Sequence, residues 1–373
     1  MPRRIDTTHQ SVSPVAIVFG TRPEIIKLGH IIRLLGESAW IIHTGQHFDI
    51  GLSRVFFDAF HIPEPATTLG VGGSTRGVQI GDALSALNRV FSKKRPSVVI
   101  VQGDTNSAAA GALAANASEI PLLHVESGLR SFDRRMPEEH NRVIADHLAD
   151  LCCAPTETSR SNLRNEGIPD DRIIVTGNTI VEAVESLLPP RDRRESLMAE
   201  FGVRRGEFVL STFHRPENVD DPATLRTIID ELARIPIPVV FPVHPRTAAR
   251  IRADVELTRL AERLIMVEPI GYESFLGLAA EAAMMITDSG GVQEEASILK
   301  RPVLVVRRST ERPEVLGTFA ERVEPGPAIT DIAAKWFAEL DDLHSRLAVL
   351  PSPYGDGTAS AKTVATIPGL IGG

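Results

Sequence analysis

Two cysteines in 373 residues leave no room for a disulfide framework. Cys152 and Cys153 are sequence neighbours in the apolar run 151–154, and adjacent strand residues point to opposite faces. They make poor disulfide partners, which suits a reducing compartment. No metal-ligand spacing surrounds them, so both read as core residues and no metal is expected. Basic residues are scarce as well. Lys and Arg number 40 against 48 Asp and Glu, a formal charge of −8, which excludes wholesale attraction to nucleic acid or to an anionic membrane. No segment approaches ~18 uninterrupted apolar residues, so no membrane-spanning helix is expected. The polar segment 1–14 lacks the apolar stretch of a signal peptide, and the expected location is cytoplasmic. The glycine pattern GxGxxG is missing, so NAD is not indicated. Short-period repeats and low-complexity segments are missing too. An anionic ligand would have to be held by a few local basic groups and by helix ends.

What is present is ordinary globular material, 43% hydrophobic and 24% charged, in a chain long enough for two domains. Short β-rich apolar runs at 15–19, 40–43, 97–101, 122–125, 151–154 and 173–176 alternate with helical patterns at 24–35, 52–60, 79–91, 107–117, 138–149 and 157–166. The alternation breaks at Leu187-Leu188-Pro189-Pro190. It resumes with strands at 208–212, 238–243, 264–267, 284–287 and 302–306 and helices at 223–234, 248–263, 272–282 and 291–299. Continuous apolar strands separated by helices indicate parallel sheets covered on both faces. The fold class is therefore α/β, with two doubly wound Rossmann-like domains facing across a cleft. The expected domains are 1–185 and 186–353, with a hinge near 181–194 and with 354–373 packing back on the first. A last helix at 329–347 is expected to cross between them.

In such sheets ligands sit beyond the carboxyl ends of the strands, so polar residues just after strands are the functional candidates. Behind the first strand stands Phe19-Gly20-Thr21-Arg22-Pro23-Glu24, followed by Lys27. Gly20 permits a tight turn, Pro23 suits a first helical turn, the helix start favours an anion, and Arg22 adds a phosphate-gripping fork. Lys27 falls among the apolar residues of that helix, an odd place for a merely solvating charge. Gln102-Gly103-Asp104-Thr105 and His124-Val125-Glu126-Ser127-Gly128 follow strands that should be neighbours, and Met136-Pro137-Glu138-Glu139 opens a helix. Asp104, Glu126 and Glu138 gathered at one crevice can serve as general acid and base, with pKa values raised by mutual repulsion and burial. Taken alone, Glu138 reads better as a stabilising helix N-terminal acid.

In the second half, His214 in Phe213-His214-Arg215-Pro216 can donate to a phosphate oxygen, although a lone histidine is more often structural. The stronger signal is Thr287-Asp288-Ser289-Gly290-Gly291-Val292-Gln293-Glu294-Glu295. A strand ends, a Ser-Gly-Gly turn lets backbone amides approach closely, and a helix begins, which by mechanism is a diphosphate cradle. Glu295, one turn on, has the reach and acceptor chemistry for a ribose diol. Arg312 and Thr310, in the charge-dense Arg307-Arg308-Ser309-Thr310-Glu311-Arg312, can close on sugar or phosphate.

Together these segments resemble the non-hydrolysing UDP-N-acetylglucosamine 2-epimerase family of GT-B-type proteins, over 18–314. The likeness rests also on Thr44-Gly45-Gln46-His47, Thr176-Gly177-Asn178-Thr179 and Pro313-Glu314. It implies interconversion of UDP-GlcNAc and UDP-ManNAc by loss of UDP to a 2-acetamidoglucal, then return of proton and UDP. The family's catalytic residues match Asp104, Glu126, Glu138 and His214. Its substrate contacts match Arg22, Lys27, His214, Phe275, Ser289, Gly290, Gly291, Glu295 and Arg312, with Phe275 against uracil. It further implies a UDP-sugar as the only small-molecule partner, no cofactor, and a homodimer. Phe48-Asp49 after His47 departs from the His-Arg-Glu-Met continuation of allosterically regulated bacterial members. A hydrolysing epimerase, an epimerase of a related UDP-sugar and a GT-B glycosyltransferase are the competing readings, since fold alone does not separate them.

Overall fold

A computed structural model of the protein describes residues 13–46 and 50–371. His47, Phe48 and Asp49, and most of the polar segment 1–14, lie outside the described residues. The chain forms two compact units. One contains the stretch ending at Leu129, then Arg134–Thr179 and the tail from Thr358; the other contains Arg130–Asp133 and Ile180–Gly357.

The first unit is built on β1 (Val15–Phe19), β2 (Ala39–His43), β3 (Thr67–Thr68), β4 (Val98–Gln102), β5 (Leu122–Val125), β6 (Leu151–Ala154) and β7 (Ile173–Val175). They pair in the order β3-β2-β1-β4-β5-β6-β7, all parallel. The second unit repeats the scheme with β8 (Val209–Thr212), β9 (Val239–Pro242), β10 (Ile265–Val267), β11 (Met284–Thr287), β12 (Val303–Val306) and β13 (Ala320–Val323). Its order is β10-β9-β8-β11-β12-β13, again all parallel. The α/β, doubly wound class read from the alternation of patterns is the observed one. The central strands are buried residue for residue, for example β1, β4, β11 and β12, because helices cover both faces of each sheet.

Strand order reverses between β1 and β4 in one sheet and between β8 and β11 in the other. Loops that leave neighbouring strands at such a reversal diverge to opposite faces and open a crevice at the carboxyl ends. Each unit therefore has one place where ligand-binding loops are expected, and the singled-out motifs after β1, β4, β8 and β11 all fall there.

Several elements differ from expectation. β3 is two residues long, and β13 is an edge strand with Glu321 and Arg322 exposed, so neither has the apolar run of a central strand. The single helix expected at 248–263 is two, Pro245–Arg252 and Val255–Ala261, because the Asp254 side chain accepts from the amides of Glu256 and Leu257 and starts a new helix. The helix expected at 329–347 is likewise two, Ala328–Ala338 and Leu340–Val349, and it belongs wholly to the second unit instead of crossing. Segment 181–194, read as a hinge, is helical at Ile180–Leu187 and again from Arg191. The C-terminal helix Ala359–Ile371 packs on the helix Arg22–Leu35 of the first unit. Both cysteines are buried and form no disulfide, and burial lifts the thiol of Cys153 to about 12 and that of Cys152 higher still. Among the described residues no helix is long and apolar enough to cross a membrane.

Candidate active site

In the first unit β1 runs straight into the helix Arg22–Leu35. Thr21 and Glu24 form a capping box: Glu24 Oε2 accepts from the amides of Gly20 and Thr21 (3.0 and 2.9 Å) and from the Thr21 hydroxyl (2.8 Å). Its Oε1 accepts from Thr105 Oγ1 (2.8 Å), which ties this turn to the one after β4. Burial outweighs those four bonds and raises the Glu24 carboxyl to about 7. Gly20 is required by close approach. A Cβ there would stand 2.1 Å from Thr44 Oγ1 and 2.2 Å from Ser107 Oγ, inside the cluster where Gln46 accepts from Ser107.

Lys27 lies on the buried face of that helix, and its Nζ is 2.6 Å from Glu126 Oε1, both side chains being almost wholly buried. Gln102, the last residue of β4, donates to Glu126 Oε2. Glu126 has a φ of +65°, a left-handed conformation that costs a non-glycine residue roughly 1 kcal/mol or more and that concentrates at functional sites. Asp104 follows Gly103 (φ +67°) after the adjacent strand and is partly exposed. Arg142 donates to Asp104 Oδ2 and also to Glu139 Oε2 (2.6 Å), and Asn141 donates to the Asp104 carbonyl (2.9 Å). Both donors come from the helix Pro137–Leu148, whose first turn carries Glu138, exposed.

Asp104 and Glu126 thus leave the carboxyl ends of paired strands, with Glu138 on the helix that holds Asp104. Each of the first two faces a cation, Glu126 meeting Lys27 and Asp104 meeting Arg142. Arg22 is exposed at the first residue of its helix.

In the second unit Asp288 is the organising residue. It is fully buried just after β11 and accepts from the amides of His214 (3.2 Å) and Arg215 (3.0 Å) and from Asn218 Nδ2 (3.1 Å). His214 Nδ1 lies 3.1 Å from its Oδ1. Burial acts to raise this carboxyl, but His214 and the amide donors together hold it below its ordinary 3.8. A carboxylate only accepts, so Nδ1 carries the hydrogen and Nε2 is the ring nitrogen available to a ligand, on a side chain 44% exposed.

Ser289 is the N-cap of the helix Gly290–Leu299, yet its side chain makes no cap hydrogen bond, so the leading amides keep their capacity for an anion. The two glycines are the first helical turn rather than a loop before it. A Cβ on Gly290 would come within 2.7 Å of Glu311 Oε1 and 3.1 Å of an Arg312 nitrogen, whereas one on Gly291 would make only ordinary contact. Arg312 is buried and donates to Glu294 Oε1 (2.9 Å) and Glu311 Oε1 (2.5 Å), while Thr310 donates to Gln293 (2.8 Å). Glu295 Oε1 accepts from Tyr272 Oη (2.8 Å), and burial together with that carboxylate keeps the phenol protonated well above 10. Phe275 is half-buried against the unit's own core.

Sequence reasoning singled out the candidates and assigned no role to the residues that hold them: Gln102, Arg142, Asp288, Tyr272 and Glu294. The one signal available was position, since Gln102 and Asp288 stand at strand ends like the others. Nothing in the sequence marks Arg142 or Tyr272, whose partners are 38 and 23 residues away.

A family model described as UDP-N-acetylglucosamine 2-epimerase matches residues 36–368. A UDP-N-acetylglucosamine 2-epimerase of Methanocaldococcus jannaschii is 40% identical over 361 residues, covering 94% of this chain and 97% of that one. The crystal structure of the Methanocaldococcus jannaschii UDP-GlcNAc 2-epimerase in complex with UDP-GlcNAc and UDP superposes with a TM-score of 0.84 at 38% identity, covering 95% and 99%. A UDP-2,3-diacetamido-2,3-dideoxy-D-glucuronate 2-epimerase of Pseudomonas aeruginosa is 37% identical over 311 residues, 81% and 85% of the two chains.

Proposed function

The chain belongs to the UDP-N-acetylglucosamine 2-epimerase family, and from that premise we propose that it interconverts UDP-GlcNAc and UDP-ManNAc by elimination and re-addition of UDP. A base takes the C2 proton, the C2–H electron pair becomes the C1=C2 bond, and the C1–O bond breaks with its electrons leaving on UDP. Return of a proton to the other face of C2 and of the UDP oxygen to C1 completes the inversion. The C2–H is not beside a carbonyl, so its loss must be coupled to charge building on the departing diphosphate, and anion stabilisation is the largest catalytic contribution.

The observation that carries this reading is the uncapped helix start at Ser289-Gly290-Gly291, at the strand reversal of the second unit and adjoining Arg312. We assign the diphosphate to it, with His214 donating from Nε2, Glu295 taking the ribose diol and Phe275 the uracil. Arg22 and Lys27 add positive charge for the substrate. Asp104, Glu126 and Glu138 are assigned the proton transfers at C2, where inversion calls for more than one acid or base group. Clustered carboxylates weaken a site that only binds a dianion, which favours catalysis over simple nucleotide binding.

The test is NMR on UDP-GlcNAc in D2O with nothing else added. The expected product is UDP-ManNAc carrying deuterium at C2. Net release of UDP with free sugar would point to a hydrolase, and no exchange without an acceptor to a transferase. Inertness to UDP-GlcNAc with exchange in a diacetamido-glucuronate analogue would move the substrate to that of the Pseudomonas relative. We also propose a cytoplasmic homodimer, as the family resemblance implies. Light scattering at micromolar concentration should return twice the 40.5 kDa chain mass, and a monomer mass would refute the dimer.

A further inference from the structure

His124 is the third residue of β5, paired in register with Val101 and Cys152 and fully buried. An apolar side chain would serve the packing there, and a buried imidazole costs free energy unless both its nitrogens are satisfied. Both are. Nε2 is 2.8 Å from the carbonyl oxygen of Gly103, which can only accept, and Nδ1 is 2.7 Å from Oδ1 of the equally buried Asp146. The Asp146 carboxylate in turn accepts from the amide of Gly128 (3.2 and 3.3 Å).

One buried pair therefore joins two turns. Gly103 (φ +67°) immediately precedes Asp104, and Gly128 (φ +81°) closes the turn begun by Glu126 (φ +65°). All three positive-φ residues sit on the two chain segments that the pair ties together. Asp146 lies on the helix Pro137–Leu148, which also supplies Arg142 to Asp104 and bears Glu138 in its first turn. Neither His124 nor Asp146 needs to reach a substrate for this arrangement to matter.

We propose that His124 and Asp146 are positioning residues that set the spacing and aim of Asp104 and Glu126 for proton transfer at C2. The proposal rests on the reading that those two carboxylates act on the sugar. It predicts more than a slower enzyme. Misaimed acids delay return of the proton to the glycal, so UDP and glycal escape more often before re-addition. The number of UDP molecules released per epimer formed should therefore rise.

That ratio does not depend on how much of a preparation is folded, which separates positioning from mere loss of stability. Two variants divide the clamp. His124→Gln can keep the donor toward Gly103 and loses the Asp146 link, and His124→Asn can keep the donor toward Asp146 and loses Gly103. Displacements near 1 Å cost about 10²-fold in turnover, so kcat of His124→Asn should fall about that much, with UDP affinity by calorimetry unchanged within about twofold. The released-UDP to epimer ratio should rise at least about tenfold, and Asp146→Asn by itself, which retains an acceptor for Gly128, should raise it less. An unchanged ratio in both His124 variants, whatever their specific activity, overturns the proposal. Wild-type protein run alongside must place solvent deuterium at C2; if it does not, the parent reading has failed instead.

Discussion

Turnover is expected to fall about 10³-fold in Asp104→Asn and in Glu126→Gln, with affinity for UDP held within about threefold. Both substitutions keep shape and acceptor capacity toward Arg142 and Lys27 and remove the ability to take a proton at neutral pH. Positioned acid–base groups contribute roughly 10²- to 10⁴-fold, and a reaction that needs one such group on each face of C2 feels either loss. Glu126→Gln also removes a buried negative charge 2.6 Å from the Lys27 ammonium, whereas Asp104 is partly exposed, so this variant should be the less stable of the two. Measuring kcat by NMR and UDP binding by calorimetry on the same preparations separates chemistry from binding, because the proposed UDP grip belongs to the other unit. Wild-type turnover in either variant would remove that residue from the proton-transfer set. A parallel loss of UDP affinity would recast it as a binding residue.

Asp288→Ala should have the largest effect on stability, about 3 kcal/mol or more. It removes the common acceptor of two backbone amides and the Asn218 side chain, and a buried donor left without a partner costs about 1–3 kcal/mol. The exposed half of His214 is screened by solvent and adds less. Function should suffer as well. Without the carboxylate on Nδ1, neither the tautomer nor the direction of the ring is set, so UDP affinity should fall at least about tenfold. The pH dependence has a definite sign. A carboxyl held below its ordinary 3.8 in the folded state contributes stability that is present above pH 4 and is lost as pH falls through the folded value. Urea titrations at pH 3 and pH 7 should thus show wild-type and variant converging at the acid end. A constant gap across that range would mean that folding does not lower the Asp288 carboxyl.

Much of the fold was legible because parallel sheets announce themselves in composition. Runs such as 98–101 and Val303–Val306 are apolar at consecutive positions, as only strands covered on both faces need to be. The misses share one cause, which is that local capping and edge exposure are decided by a few polar atoms. Asp254 interrupts a helical pattern by accepting two amides, and Glu321 and Arg322 hide an edge strand behind charge. Neither alters hydrophobic periodicity enough to be read from it.

Sequence by itself determined the class of fold, the strand ends where the candidate side chains stand, and the glycines at the helix start after β11. Those follow from short-range rules: which residues tolerate a covered strand, a close backbone approach or a first helical turn. Tertiary structure alone decided the company each functional group keeps. Lys27 meets Glu126 across 99 residues, His214 meets Asp288 across 74, and Arg142 reaches Asp104 across 38. The electrostatic character of a buried carboxylate depends on those distant partners and on how much water is displaced around it. Both are properties of the packed chain and neither is encoded in any local stretch of it.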